Sequence, residues 1–145
     1  MRRIATAVDI DATALAVWGI LTYFPAYPEW NPFIRCIEGE PKVGAKLHVT
    51  IQPPGHKAMT FRPTVVVAEP DRELRWLGRV LMPGIFDGEH AFIVEDKAGD
   101  CRLRQEETFR GLLVPLFGGM LADTERGFAA LNTALKRRAE GKAQR

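Results

Sequence analysis

The hydrophobic period of this chain changes twice, and that change limits the folds open to it. From Phe33 to Glu95, and again in a last segment ending at Phe109, apolar residues recur at every second position, whereas the flanking stretches repeat at three or four. A period of two lays one apolar face along a strand, and a period near 3.6 lays an apolar stripe along a helix. The order expected is therefore strand, helix, many strands, helix, an α+β arrangement with an antiparallel sheet. No repeat, low-complexity tract or linker divides the 145 residues, so residues 1–145 are expected to form one domain.

The first strand is read over Arg3 to Asp11, where Ile4, Val8 and Ile10 alternate imperfectly with polar neighbours. Asp11 or Thr13 then caps a helix over Ala12 to Phe24, with Leu15, Trp18, Leu21 and Phe24 expected along one face. Pro25 ends it. The segment Pro25 to Phe33 holds three prolines and three aromatic residues, which suits only a turn or a short broken helix. Strands follow through Leu47, Val49 and Ile51, then Met59 and Phe61, Val65 and Val67, and Leu74 and Trp76, separated by Pro/Gly turns. In the last strand Leu103, Gln105, Glu107 and Phe109 share one face. Beyond Gly111, Phe117, Leu121, Thr124, Phe128, Leu131 and Leu135 predict a long amphipathic helix from Pro115 to about Glu140. Gly118, Gly119 and Gly127 each cost such a helix about 1 kcal/mol, so a kink, a close backbone approach or reserved space is expected there.

Composition removes several function classes. Twenty Lys and Arg against eighteen Asp and Glu leave a net charge of +2, too balanced for a phosphate-binding surface, so no nucleic-acid partner is expected. Cys36 and Cys101 lack C-x-x-C spacing and read as buried or half-buried free thiols. Asp9 and Asp11 interrupt any signal-like apolar region, and the stretch after them is shorter than the roughly 20 residues of a membrane span. A soluble cytoplasmic protein without stable membrane insertion is expected. Three scattered histidines show no metal-ligand spacing, and neither nucleotide nor hydrolase motifs occur, so neither metal nor cofactor is expected.

Val17-Trp18, the run Tyr27-Pro28-Glu29-Trp30-Asn31-Pro32-Phe33, Gly39 with Val43-Gly44, and Glu106-Glu107-Thr108-Phe109-Arg110-Gly111 resemble the START/Bet v 1-like (SRPBCC) superfamily. The likeness is to its polyketide cyclase/dehydrase and lipid-transport branch and covers roughly Arg3 to Glu140. It implies a helix-grip fold: a curved antiparallel sheet of about seven strands wrapped around a long C-terminal helix, with one or two short helices after the first strand. It also implies a cavity between sheet and helix for a small hydrophobic or aromatic molecule, lipid-, polyketide- or sterol-like. On that reading the strand wall comprises Leu47, Val49, Phe61, Val65, Trp76, Phe92, Leu103 and Phe109, with Ile51 and Leu74 on the same faces. Phe117, Leu121 and Phe128, with Met120 and Leu131, close it from the helix.

Strand alternation places Gln105 and Glu107 on the inward face, and His90 on that of a neighbouring strand. A carboxylic acid beside a histidine in an apolar pocket is suited to proton transfer in a cyclase, dehydratase or isomerase. The same residues also suit a structural hydrogen-bonded set, the commoner role for such groups, or the polar contact of a carrier, so carrier and enzyme both stay open. A groove for a protein helix or a membrane surface is a third, weaker reading. His48 should face solvent, and His56 lies in a Pro/Gly turn. Trp30 and Asn31 read either as a gate to the cavity or as a core plug and a turn cap. Met82 to Phe86 is expected to form a lid or rim, or a contact with a second copy, which leaves a homodimer open. Lys136-Arg137-Arg138 and the tail Gly141 to Arg145 read as a solvated basic end.

Overall fold

Thr13 starts the first helix: its hydroxyl accepts the Ala16 amide at 3.1 Å and caps α1, Ala14–Thr22, directly after the first strand, β1, Arg2–Ile10. The computed structural model describes residues 1–80 and 82–141. The buried face of α1 is Ala14, Val17 and Leu21, whereas Leu15, expected on it, is 69% exposed. Spacing by three slips roughly 60° per step against a helix of 3.6 residues per turn, so residues spaced that way drift off one face. The helix ends at Thr22. A 3-10 turn, Phe24–Ala26, and a single helical turn, α2, Tyr27–Trp30, carry the chain through the prolines. Tyr27 is fully buried and donates its hydroxyl to the Leu21 carbonyl, which fixes this broken helix against α1.

Among the described residues eight strands follow the pattern, slightly more than the seven expected, in two antiparallel sheets. The smaller joins β2, Ile34–Glu38, β3, His48–Ile51, and β4, Met59–Phe61. The larger runs in the order β1, β8, β7, β6, β5, where β5 is Thr64–Glu69, β6 Glu73–Val80, β7 Phe86–Lys97 and β8 Asp100–Arg110. A bridge between Lys46 and Thr64, with the Leu47 amide on the Pro63 carbonyl at 2.8 Å, links the two.

After a 3-10 turn, Val114–Phe117, the chain enters α3, Gly118–Ala139. Leu121, Thr124, Phe128, Leu131 and Leu135 form its buried stripe, as the period predicts. Phe117 departs from the expectation: it lies in the tighter turn, out of phase with the stripe, and is 36% exposed. Gly127 is a close approach. A Cβ there would stand 2.8 Å from Phe33 Cε1, so the glycine admits that ring against the helix.

The basic end is tied down more than expected. Lys136 Nζ donates to the Asp9 carbonyl at 2.8 Å, and Arg138 reaches Glu29 at 3.3 Å. Residues 142–145 of the tail lie outside the described residues. Cys101 is buried and Cys36 half-buried, both free, as expected. Among the described residues no helix is long and apolar enough to cross a membrane.

Candidate functional site

Antiparallel pairing places three inward rows across the large sheet. Trp76, His90, Glu107 and Ile4 stand side by side in one. Phe92, Gln105 and Thr6 lie in the row behind, and Gly78, Gly88 and Phe109 in the row in front. Side chains in adjacent rows of one face are within reach of each other. The polar residues singled out in the sequence therefore converge.

They form a continuous buried network. Gln105, fully buried, donates from Nε2 to the Phe128 carbonyl at 3.2 Å and to Asn132 Oδ1 at 2.8 Å. Its Oε1 meets His90 Nε2 at 3.0 Å. Asn132 Nδ2 donates to the Thr6 hydroxyl at 2.8 Å, which donates to the Gln105 carbonyl at 3.2 Å. On the other side of the imidazole, Nδ1 lies 3.5 Å from Glu107 Oε1.

That pair has the geometry of an ion pair and the environment of a neutral one. His90 is packed against Phe92, Phe128 and Trp76, with ring centroids 4.6, 4.7 and 5.2 Å away. Burial pulls its pKa down to about 3, and the Gln105 contact opposes this only weakly. Burial pushes the Glu107 carboxyl up to about 8. Near neutral pH both groups are uncharged, because the site offers neither charge enough solvation.

Both face a cavity bounded by the two sheets and the first turns of α3, with about 90 Å³ open to the centres of water-sized molecules. At roughly 10–15 Å³ per water on this measure, the space admits a molecule of one or two rings. Trp76, Gly78, Phe86, Gly88 and Phe109 form the large-sheet wall around His90 and Glu107. The small sheet adds Ile34, Val49, Ile51, Met59 and Phe61, with Phe33 and Pro63 at its margins. Met120, Leu121 and Thr124 cover it from the helix. The space between sheet and helix is thus only partly filled by side chains. A wider groove of about 810 Å³ lies elsewhere, between the start of α1 and the β5–β6 turn, but it is an open surface channel with a charged rim of Glu69, Asp71, Arg72 and Glu95.

The cavity is shorter than the wall expected from sequence. Val49, Phe61, Trp76, Glu107, Phe109 and Leu121 line it. Leu47, Val65, Phe92, Leu103 and Phe128 do not: they are almost wholly buried and belong to the packed core. Gln105 sits behind His90 and reaches the cavity only through it. Trp30 is off the cavity, its ring packed on Tyr27, and Asn31 Oδ1 accepts the Phe33 and Ile34 amides, a turn cap. Phe117 touches the cavity residue Phe86 from outside.

Sequence reasoning missed Phe33, Met59, Phe86, Gly78 and Gly88 on the wall, and Thr6 and Asn132 in the network. The glycines carried a signal, since glycine within a strand often marks a close approach. Asn132 also did, four residues after Phe128 on the buried stripe. His56 is less peripheral than its turn suggested. Its Nε2 meets Asp123 Oδ2 at 2.6 Å and ties the β3–β4 loop to α3 beside Thr124. Met82 is exposed and Phe86 lines the cavity, so residues 82–86 form a rim. Gly111, at φ +126°, lets this rim close onto the start of the 3-10 turn, where the Leu112 and Leu113 amides bind the Gly84 and Ile85 carbonyls.

The family model described as polyketide cyclase / dehydrase and lipid transport matches residues 1–140. The chain belongs to that family. Among solved structures, this family member is similar to a START superfamily protein from Mycobacterium smegmatis, at 21% identity, with 96% of this chain and 97% of that one covered and a TM-score of 0.73. It is also similar to the Zhui aromatase/cyclase from Streptomcyes sp. R1128, at 18% identity, 98% and 95% coverage and a TM-score of 0.75. A third likeness is to norcoclaurine synthase from Thalictrum flavumn, at 14% identity, 98% and 96% coverage and a TM-score of 0.71. At these identities the likeness is one of fold. No curated protein matches in sequence.

Proposed function

We propose that this protein binds a small apolar or aromatic molecule in the cavity between its sheets and α3. The observation that carries the reading is the cavity itself, apolar around most of its wall with a polar end at His90 and Glu107, while Thr124 gives its hydroxyl proton to the Met120 carbonyl. Apolar area removed from water supplies about 25 cal/mol per Å², and a few fixed polar groups orient the ligand. The family description, which names both cyclases and lipid transport, accommodates such a ligand. Native mass spectrometry of protein purified from its own host tests this. A co-purifying molecule of one or two rings supports it, and a protein that stays empty and takes up no apolar probe at millimolar concentration refutes it.

A second reading, proton transfer within the cavity, is favoured by the convergence of Glu107 and His90. A carboxylic acid held protonated near neutral pH can donate to a carbonyl oxygen or leaving hydroxyl, and Gln105 holds the imidazole beside it. If turnover of a bound substrate is found, Glu107→Gln should lower it by about 10²-fold or more while binding persists. Unchanged turnover in that variant removes the catalytic reading and leaves the carrier.

A further inference from the structure

We infer that the ligand of this cavity carries a hydroxyl group, held between His90 Nδ1 and the Glu107 carboxyl, with its apolar body lying over Gly78. This rests on the reading that the cavity binds a small apolar molecule, and it follows from the direction of each hydrogen bond.

The Phe128 carbonyl can only accept, so the Gln105 amide nitrogen must face it, and Gln105 Oε1 must face His90. An oxygen acceptor there requires the imidazole proton on Nε2. A neutral imidazole has one N–H, so Nδ1 is a bare acceptor, and it points to the Glu107 side of the cavity. Neutral Glu107 has one proton to give and a carbonyl oxygen that accepts. The polar end therefore holds two acceptors and one donor.

A ligand ether or ketone would draw the only donor to itself and leave Nδ1 without a partner, a costly state for a buried acceptor. A hydroxyl supplies a donor and an acceptor at once, giving its proton to Nδ1 and accepting the Glu107 proton, so only the carbonyl oxygen of the carboxyl is left over. A carboxylate would bring a charge into a site whose lining holds no lysine or arginine among the described residues. An ammonium would have to ionise Glu107 against the burial that keeps it neutral.

The flat floor gives the rest of the molecule its place. Gly78 and Gly88 are directly opposed on β6 and β7, and both line the cavity next to the Trp76, His90 and Glu107 row. The Glu107 carboxyl fills the space above Gly88, so the floor open to a ring is the bare backbone at Gly78, beside Trp76.

Matched probes of one ring system test the inference by calorimetric titration: naphthalenemethanol, its methyl ether and ethylnaphthalene. The alcohol is expected to bind at least about tenfold tighter than the ether. Glu107→Gln, whose amide keeps an N–H donor and a carbonyl acceptor, should retain that preference, and Glu107→Leu should reduce it to about twofold or less. If the three probes bind the native protein with equal affinity, or if the Leu variant keeps the preference, the hydroxyl inference is overturned while the binding function stands. If none binds, the binding function fails and this inference with it.

Discussion

Glu107 Oε2 lies 2.6 Å from the point where a Cβ on Gly88 would stand, so the carboxyl occupies the space left by the missing side chain. The two residues are on adjacent strands, one row apart. The acid at the cavity's polar end thus depends on a glycine that carries no chemistry of its own.

Gly88→Ala should therefore move the carboxyl without unfolding the sheet, since the atom it meets ends a flexible side chain. A stability loss of about 1–2 kcal/mol is expected, within the usual cost of overpacking. Any ligand preference that depends on Glu107 should weaken with it. Gly78→Ala makes the contrast. Its Cβ would meet nothing closer than Pro63 Cβ at 3.6 Å, so the fold should be unaffected while the added methyl narrows the cavity and lowers probe affinity. Denaturant titration and probe binding on both variants separate the two effects. Equal affinity loss with equal destabilisation would show that the floor is only structural.

The neutral pair gives stability a defined pH profile. His90, with its pKa lowered to about 3 from 6.5, binds a proton more readily unfolded, so stability falls as pH drops from 6.5 towards 3. Glu107, raised to about 8 from 4.5, holds its proton more tightly folded, so stability falls as pH rises from 4.5 to 8. Between 4.5 and 6.5 the two slopes oppose each other, and between 6.5 and 8 only the Glu107 loss remains. Denaturant unfolding at pH 6.5 and 8 should show the native protein weakening by on the order of 1–2 kcal/mol. Glu107→Gln should lose this fall. A native protein equally stable at both pH values would mean that Glu107 is ionised in the folded state.

Gln105→Leu leaves two buried groups unmatched, His90 Nε2 and Asn132 Oδ1, and takes a second partner from the Phe128 carbonyl within α3. The expected loss is about 2–4 kcal/mol, because polar groups left unmatched in the core cost more than the bonds were worth. Thermal or denaturant unfolding measures it. A loss under about 0.5 kcal/mol would show that water enters and replaces the amide.

Much of this was legible in the sequence, and the reason is periodicity. Alternation placed Leu103, Gln105, Glu107 and Phe109 on one face, and register then needed only antiparallel pairing to bring His90 opposite Glu107. The extent of the cavity was not legible. Phe92, Leu103 and Phe128 have the same pattern as Trp76 and Phe109, yet only the latter two face open space. Whether an inward side chain meets a partner or a void depends on how closely α3 approaches, and a hydrophobic pattern does not encode that distance. Proton direction was hidden for a similar reason, since it is set by the Phe128 carbonyl and Asn132, far away in sequence.

That approach of α3 is itself testable at Gly127. Alanine is the better helix former by about 1 kcal/mol, so on propensity alone Gly127→Ala should stabilise. The structure predicts the opposite sign. The new Cβ would lie 2.8 Å from Phe33 Cε1, and Phe33 is buried against Phe128 with ring centroids 5.5 Å apart, leaving the ring little room to retreat into the core. Phe33 also lines the cavity, so the ring has one direction open to it. The variant should be less stable by about 1–3 kcal/mol and, with Phe33 displaced, should bind naphthalene-sized probes more weakly. Pairing it with Phe33→Leu, which shortens the obstructing side chain, should recover part of the stability in a double-mutant cycle. A Gly127→Ala variant more stable than the native protein would show that the helix does not bear on Phe33 as closely as drawn.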